Sequence, residues 1–235
     1  MAQGVFLITG ASRGIGAATA ELAAEAGYRL VLVARRVDAL VERAARLGGP
    51  ERVWVAQCDV REWAQVSCLV DRVEREWGGL DVVFANAGVS VETSFTTEEG
   101  DPPPQWADMV LTNVCGPAYT ARAALPALIR SGGHLVLTGS AAGRGVRPGN
   151  LYSATKWAVT GLAQAIRAEC VGTGVRVTLV QPGLTDTGGI PASRARDPKL
   201  EPSDVARAVL YAIGQPPTVD VNEILVRPVG QHAYR

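Results

Sequence analysis

Short apolar runs recur along the chain: VFLI at 5–8, LVLV at 30–33, VWV at 53–55, VVF at 82–84, LVL at 135–137, VTLV at 177–180 and ILV at 224–226. Runs of this length, without polar alternation, predict strands buried on both faces. Between them lie apolar residues at helical spacing, such as Ile15, Ala18, Leu22 and Ala26, or Trp63, Val66, Leu69, Val70, Val73 and Trp77. Parallel strands need crossovers of roughly a dozen residues or more, usually helical. The alternation therefore predicts an α/β chain: a doubly wound, seven-stranded parallel sheet with helices on both faces, in a single domain over residues 1–235. Such sheets bind ligands beyond the carboxyl ends of their strands, so the residues after each run are where chemistry is expected.

Composition supports a core and excludes some partners. The chain is 47% hydrophobic and 20% charged, as folded proteins are. Its 23 Lys and Arg balance its 23 Asp and Glu, so no global basic charge points to nucleic acid. The opening MAQGVFLITG lacks a basic region and its apolar run is too short for a signal peptide, while no stretch reaches membrane-spanning length; a cytoplasmic location is expected. Cys58, Cys68, Cys115 and Cys170 show neither close pairing nor metal-ligand spacing, and His134 and His232 add little for a zinc site, so four buried, reduced thiols and no metal are expected. The GDPPP at 100–104 predicts a surface loop before a helix starting near Gln105, and residues 183–202, rich in Gly, Pro and charge, read as a lid. Trp54, Trp63, Trp77 and Trp106 are expected to pack, and Trp157 to pack or to touch an assembly partner.

After the first run comes Gly10-Ala11-Ser12-Arg13-Gly14-Ile15-Gly16, leading straight into a helix. A glycine-rich turn is sometimes only a tight connection, but between a strand and a helix it lets a pyrophosphate approach the helix N-terminus. The end of the second strand discriminates between dinucleotides. An acidic residue there accepts hydrogen bonds from the ribose hydroxyls of NAD, whereas this chain has Arg35 and Arg36, which suit a 2′-phosphate, with Arg13 as a third cation. NADP(H) is the expected cofactor.

Ser140 closes the fifth strand, and Tyr152 and Lys156 follow four residues apart on a predicted helix, so phenol and ammonium share a face. A free tyrosine titrates near pH 10, and a nearby cation favours its phenolate. Together the glycine turn, Asn86-Ala87-Gly88 after the fourth strand, Asn113, Ser140, the Tyr-Lys pair and Pro182-Gly183 resemble the short-chain dehydrogenase/reductase family, from Val5 to about Pro228.

That resemblance implies a Rossmann-like fold and an oxidoreductase moving a hydride between NADP(H) and a small carbonyl or alcohol substrate. It implies that Ser140 hydrogen-bonds the substrate oxygen, Tyr152 is the acid/base, Lys156 binds the nicotinamide ribose and lowers the tyrosine pKa, and Asn113 holds a relay water. It also implies that Asp59 and Val60 meet the adenine, that Asn86, with Ala87 and Gly88, lies near the adenosine ribose, and that Thr185 and Thr187 meet the carboxamide and phosphates. The expected substrate is a 3-hydroxy acid, aldehyde or small ketone. The alternatives are a 3-oxoacyl-carrier-protein reductase-like enzyme and a non-catalytic NADPH-binding redox sensor. Arg144 and Arg147, in the pocket segment 141–150, either meet a carboxylate or phosphopantetheine or face solvent. Oligomers of the family commonly use the helices around Tyr119–Ile129 and Tyr152–Glu169, whose apolar positions here fit such burial, so the resemblance implies a homodimer or homotetramer.

Overall fold

The structure, a computed structural model, describes residues 4–146, 148–188, 190 and 194–231. The expected doubly wound sheet is present. Strands β1 (Val5–Thr9), β2 (Arg29–Ala34), β3 (Val53–Gln57), β4 (Val82–Ala85), β5 (His134–Thr138), β6 (Arg176–Pro182) and β7 (Glu223–Val226) pair in parallel, in the order β3-β2-β1-β4-β5-β6-β7. The order reverses between β1 and β4, which opens a crevice at their carboxyl ends.

Alternating strand residues feed two cores. Leu7, Val31, Val83, Leu135 and Val177 face α3 (Trp63–Trp77), α5 (Gly116–Ser131) and α6 (Leu151–Glu169), while Phe6, Leu30, Phe84, Val136 and Val180 face α1 (Gly14–Glu25), α2 (Asp38–Arg46) and α7 (Pro202–Ile213). Burial on both faces explains why the central runs carry no polar alternation. The two edge strands depart from that expectation. β7 is exposed at Glu223 and Leu225, and β3 is exposed at Gln57, because an edge strand lacks a neighbour on one side and is only partly covered.

Two more expectations change. Helix α4 (Pro103–Val110) begins at a proline, two residues before the expected Gln105: Pro102 is its N-cap and Pro103 and Pro104 occupy the first turn, where no intrahelical N–H is required. Of the cysteines only Cys58 and Cys170 are buried; Cys68 is exposed on the solvent side of α3 and Cys115 is half-buried. Trp63 is also largely exposed, against the edge of Tyr119, whereas Trp54 and Trp77 pack together. The lid segment is partly ordered by a parallel bridge between Thr185 and Leu200, with Leu200 N–H donating to Leu184 O; Gly189 and residues 191–193 lie outside the described residues, as do Arg147 and His232. Among the described residues no helix is long and apolar enough to cross a membrane.

His134, for which the sequence offers no partner, is fully buried at the start of β5, with Nε2 2.7 Å from Thr178 Oγ1. The Thr178 hydroxyl donates its proton to Val221 O, so His134 Nε2 donates to it and Nδ1 is the orphaned buried acceptor. Burial, reinforced by the nearby Arg176 cation, pushes this imidazole down to about 3. The folded pKa lies below the unfolded one, so the unfolded chain binds the extra proton and stability falls as pH drops from about 6.5 towards 3. His134→Gln is expected to flatten that acid limb by about 1.4 kcal/mol per pH unit, read from denaturant unfolding at pH 4 to 7. An unchanged slope would refute the buried neutral assignment.

Candidate active site

The phosphate turn is shaped by steric exclusion. Gly10 and Gly14 have φ of 67° and 56°, the left-handed region that favours glycine, and a Cβ on Gly14 would fall 2.9 Å from the Thr187 side chain. A Cβ on Gly16 would fall 2.5 Å from Gly10 O. Arg13 is the extended N-cap of α1 and gives no side-chain cap, which leaves first-turn N–H groups facing the crevice beside Ser12 and Ile15. A pyrophosphate fits such a cradle. Arg35 and Arg36 are exposed in the turn after β2, and among the described residues neither they nor Arg13 lies within 4 Å of a carboxylate.

Two of the expected contact residues also hold protein partners. The Asn86 amide donates to Thr9 O (2.9 Å) and Gly10 O (3.4 Å) and accepts from Thr138 Oγ1 (3.3 Å), while Thr9 Oγ1 accepts from the N–H groups of Asn86 and Ala87. Asn86 thus ties together the ends of β1, β4 and β5, and its side chain braces the turn. The Asp59 carboxylate is gripped by Arg61 (Nη2–Oδ2 2.7 Å), which also reaches Asp108 on α4. The Arg61 hydrogen bonds hold its carboxyl below the usual range, with Arg35 contributing. Val60 is buried behind it.

The four residues of the expected catalytic set converge at the ends of β4 and β5. Asn113 sits in a π turn (Leu111–Cys115) that joins α4 to α5. Such turns recur at functional sites because the extra residue re-aims side chains. Its amide donates to Val89 O (2.8 Å) and Thr155 Oγ1 (3.1 Å), and its Oδ1 accepts from Val89 N–H (2.9 Å). Ser140 caps a short 3₁₀ turn (Ala141–Arg144), with Oγ accepting from Ala142 N–H and donating to Pro182 O at 3.4 Å. Lys156 is 4% exposed; its Nζ donates to Thr138 O (2.9 Å) and lies 5.6 Å from the Tyr152 ring centroid.

Burial pushes the Tyr152 phenol above its ordinary value, and Ser140 offsets that only in part. Burial also brings the Lys156 ammonium down to about 8, with Nζ over the tyrosine ring. The protonated phenol is the form this pocket favours.

Tyr152 and Ser140 open onto a cavity of about 570 Å³ that also touches Ile15, Gly183, Thr185 and Thr187. Pro182 and Thr185 are buried, and the Thr185 hydroxyl donates to Gly183 O. Arg144 does not line the cavity: Nε donates to Gln181 Oε1 at 2.9 Å, and the guanidinium pairs with Glu223 on β7.

Thr93 is a residue the sequence did not mark. Its hydroxyl donates to Gly149 O and accepts from Leu151 N–H (3.0 Å), one residue before Tyr152, while Asn150 caps the same helix through Ser153 N–H. The loop carrying Thr93 closes on itself through Asp101 N–H to Glu92 O (2.8 Å) and Glu92 N–H to Asp101 Oδ2 (2.9 Å). Thr93→Val is therefore expected to lower kcat about tenfold or more through displacement of Tyr152, with cofactor affinity unchanged and Thr93→Ser largely rescuing the loss. Steady-state kinetics check this; a wild-type kcat in the valine variant would reduce Thr93 to a wall residue.

Comparison with known proteins agrees with this geometry. The family profile for short chain dehydrogenase matches residues 4–197. An uncharacterized oxidoreductase of Staphylococcus aureus is 40% identical over 228 residues, covering 96% of this chain and 97% of that one, and a relative from Staphylococcus saprophyticus is 38% identical over 233. An alcohol dehydrogenase from the archaeon Thermococcus sibiricus, complexed with 5-hydroxy-NADP, superposes with a TM-score of 0.88 at 32% identity, covering 98% of this chain and 99% of that one. A serine dehydrogenase complexed with NADP+ superposes with a TM-score of 0.88 at 30% identity, covering 97% and 96%. The chain belongs to the short-chain dehydrogenase/reductase family of oxidoreductases.

Proposed function

We propose that the protein is an NADP(H)-dependent oxidoreductase that interconverts a small carbonyl compound and its alcohol, with Tyr152 as acid/base. The observation that carries this reading is the Tyr152 ring, which opens with Ser140 onto the cavity while the buried Lys156 Nζ lies 5.6 Å from its centroid. The cofactor would lie across the glycine turn, its adenine near Asp59 and Val60, its 2′-phosphate between Arg13, Arg35 and Arg36, and its nicotinamide by Gly88, Pro182, Gly183, Thr185 and Thr187. The NADP-bound relatives support that choice.

When bound, the reduced nicotinamide supplies the hydride and is itself oxidised. Tyr152 would give its proton to the substrate oxygen as the C=O bond becomes C–OH. Ser140 donates a hydrogen bond to the same oxygen, where negative charge develops. Lys156 binds the nicotinamide ribose, and Asn113 holds the relay water. In oxidation the tyrosine must accept the proton, so that direction accelerates as pH rises. The exposed Val110, Leu111, Ile129 and Trp157 support assembly into a homodimer or homotetramer.

NADPH oxidation against ketones, aldehydes and 3-oxo acids tests the activity; inertness towards all of them, with tight NADPH binding, would refute it. Arg35→Asp tests the cofactor. It replaces a phosphate-binding cation by a repelling carboxylate, so kcat/KM for NADPH is expected to fall about 100-fold while that for NADH changes little. An unchanged preference would overturn the assignment.

A further inference from the structure

Ser140 is aimed by a turn whose far end is tied to the strand that receives the serine hydroxyl. Ser140 Oγ accepts from Ala142 N–H (3.1 Å) and donates to Pro182 O (3.4 Å), so its direction depends on where the turn Ala141–Arg144 stands against the end of β6. At the end of that turn Arg144 Nε donates to Gln181 Oε1 (2.9 Å) and the guanidinium pairs with Glu223 on β7, while Gln181 Nε2 donates to Glu223 Oε2 (3.3 Å). Gln181 directly precedes Pro182, so this closed triangle joins turn to strand one residue from the serine's acceptor.

Gln181 extends the row of Val177 and Leu179 on the face of β6 that meets α6, and it is 1% exposed. An amide buried there needs partners at both ends, and Arg144 and Glu223 supply them. The other sides of the turn are close-fitting. A Cβ on Gly143 would fall 2.7 Å from Lys156 O, and one on Gly139 would fall 3.0 Å from Gln181 Cγ; Trp157 Nε1 donates to Gly145 O at 3.4 Å. The turn is thus wedged between the helix that carries Tyr152 and Lys156 and the strands that carry the triangle. The Arg144 and Glu223 side chains are 31% and 33% exposed, and an ion pair so placed contributes little to stability. Its position is what matters. Building on the roles of Ser140 and Tyr152 given above, we infer that Arg144 and Glu223 are positioning residues: through Gln181 they hold the Ser140 hydroxyl where it and the Tyr152 phenol reach one substrate oxygen. A misplacement of about 1 Å in such a constellation costs about 100-fold in rate, so a pair of small stability can have a large kinetic effect.

Arg144→Met keeps the aliphatic stem and removes the fork. With NADPH and whichever member of the ketone, aldehyde and 3-oxo acid panel the wild type reduces fastest, its kcat is expected to fall about tenfold or more. NADPH affinity is expected to stay within about twofold, and Tm within about 4 °C. Glu223→Ala is expected to behave alike, whereas Glu223→Gln, which keeps an acceptor for the guanidinium, restores most of kcat. The deciding measurement is a cycle with Ser140→Ala: once the serine hydroxyl is gone, Arg144→Met is expected to lower kcat further by less than about twofold. A wild-type kcat in Arg144→Met, or the same fold-loss with and without the Ser140 hydroxyl, would overturn the inference while leaving Tyr152 in its role. A wild type inert towards the whole panel would overturn the assignment of Tyr152, and this inference with it.

Discussion

Tyr152→Phe is expected to lower kcat by about 1,000-fold or more, in the range that general acid–base catalysis contributes, and to leave NADPH affinity within about twofold. The ring persists, so the packing over Lys156 and the shape of the cavity floor are kept. What disappears is the proton that neutralises the oxygen. Steady-state turnover and fluorescence titration with NADPH separate the two quantities. Retention of more than a tenth of wild-type kcat would assign proton transfer to another group.

Gly16→Ala is expected to damage fold and cofactor binding together. The added Cβ meets Gly10 O at 2.5 Å and the Asn86 amide nitrogen at 2.7 Å, and both belong to the brace that holds the turn against β4. Overpacking of this kind costs about 1–3 kcal/mol. In a chain of this length that lowers Tm by about 2–4 °C per kcal/mol, and NADPH affinity falls about tenfold or more as the turn shifts. Gly161→Ala is the control. Gly161 lies inside α6 at ordinary φ with nothing within 4 Å of its missing Cβ, so the same substitution is expected to stabilise by about 0.5–1 kcal/mol. Differential scanning calorimetry of the pair checks both signs; equal shifts would exclude the steric account.

The central strands were legible because burial on both faces removes every polar residue from Phe6–Ile8 or Leu135–Leu137, a pattern visible without partners. The Tyr152–Lys156 pair was legible for a similar reason, since residues one helical turn apart are neighbours whatever surrounds them. Features made by distant segments were not legible. Lys156 is buried with its ammonium held by Thr138 O, which no spacing encodes. Arg144 is removed from the cavity by Glu223, 79 residues away, and Thr93 caps the catalytic helix from 58 residues upstream. The ties of Asn86 to the Thr9 backbone and of Asp59 to Arg61 were equally hidden, because they join segments far apart or depend on local folding. The proline start of α4 failed for a different reason: two prolines forbid a helix interior but suit a first turn.

The π turn at Leu111–Cys115 has a consequence for how this chain tolerates change. A regular helix advances about 100° per residue, and the wider π turn advances less, so it takes up one extra residue between two rigid rods. Upstream of it Met109 points inward; downstream Thr120, Ala124 and Ala127 do, and Asn113 is aimed at Val89 from the joint itself. Deleting one residue there would restore unbroken winding and keep α5 nearly in phase, yet it would remove the outward step from which Asn113 reaches Val89. The joint is thus an aiming device: shortening it would leave the rods packed while displacing the one amide set between them.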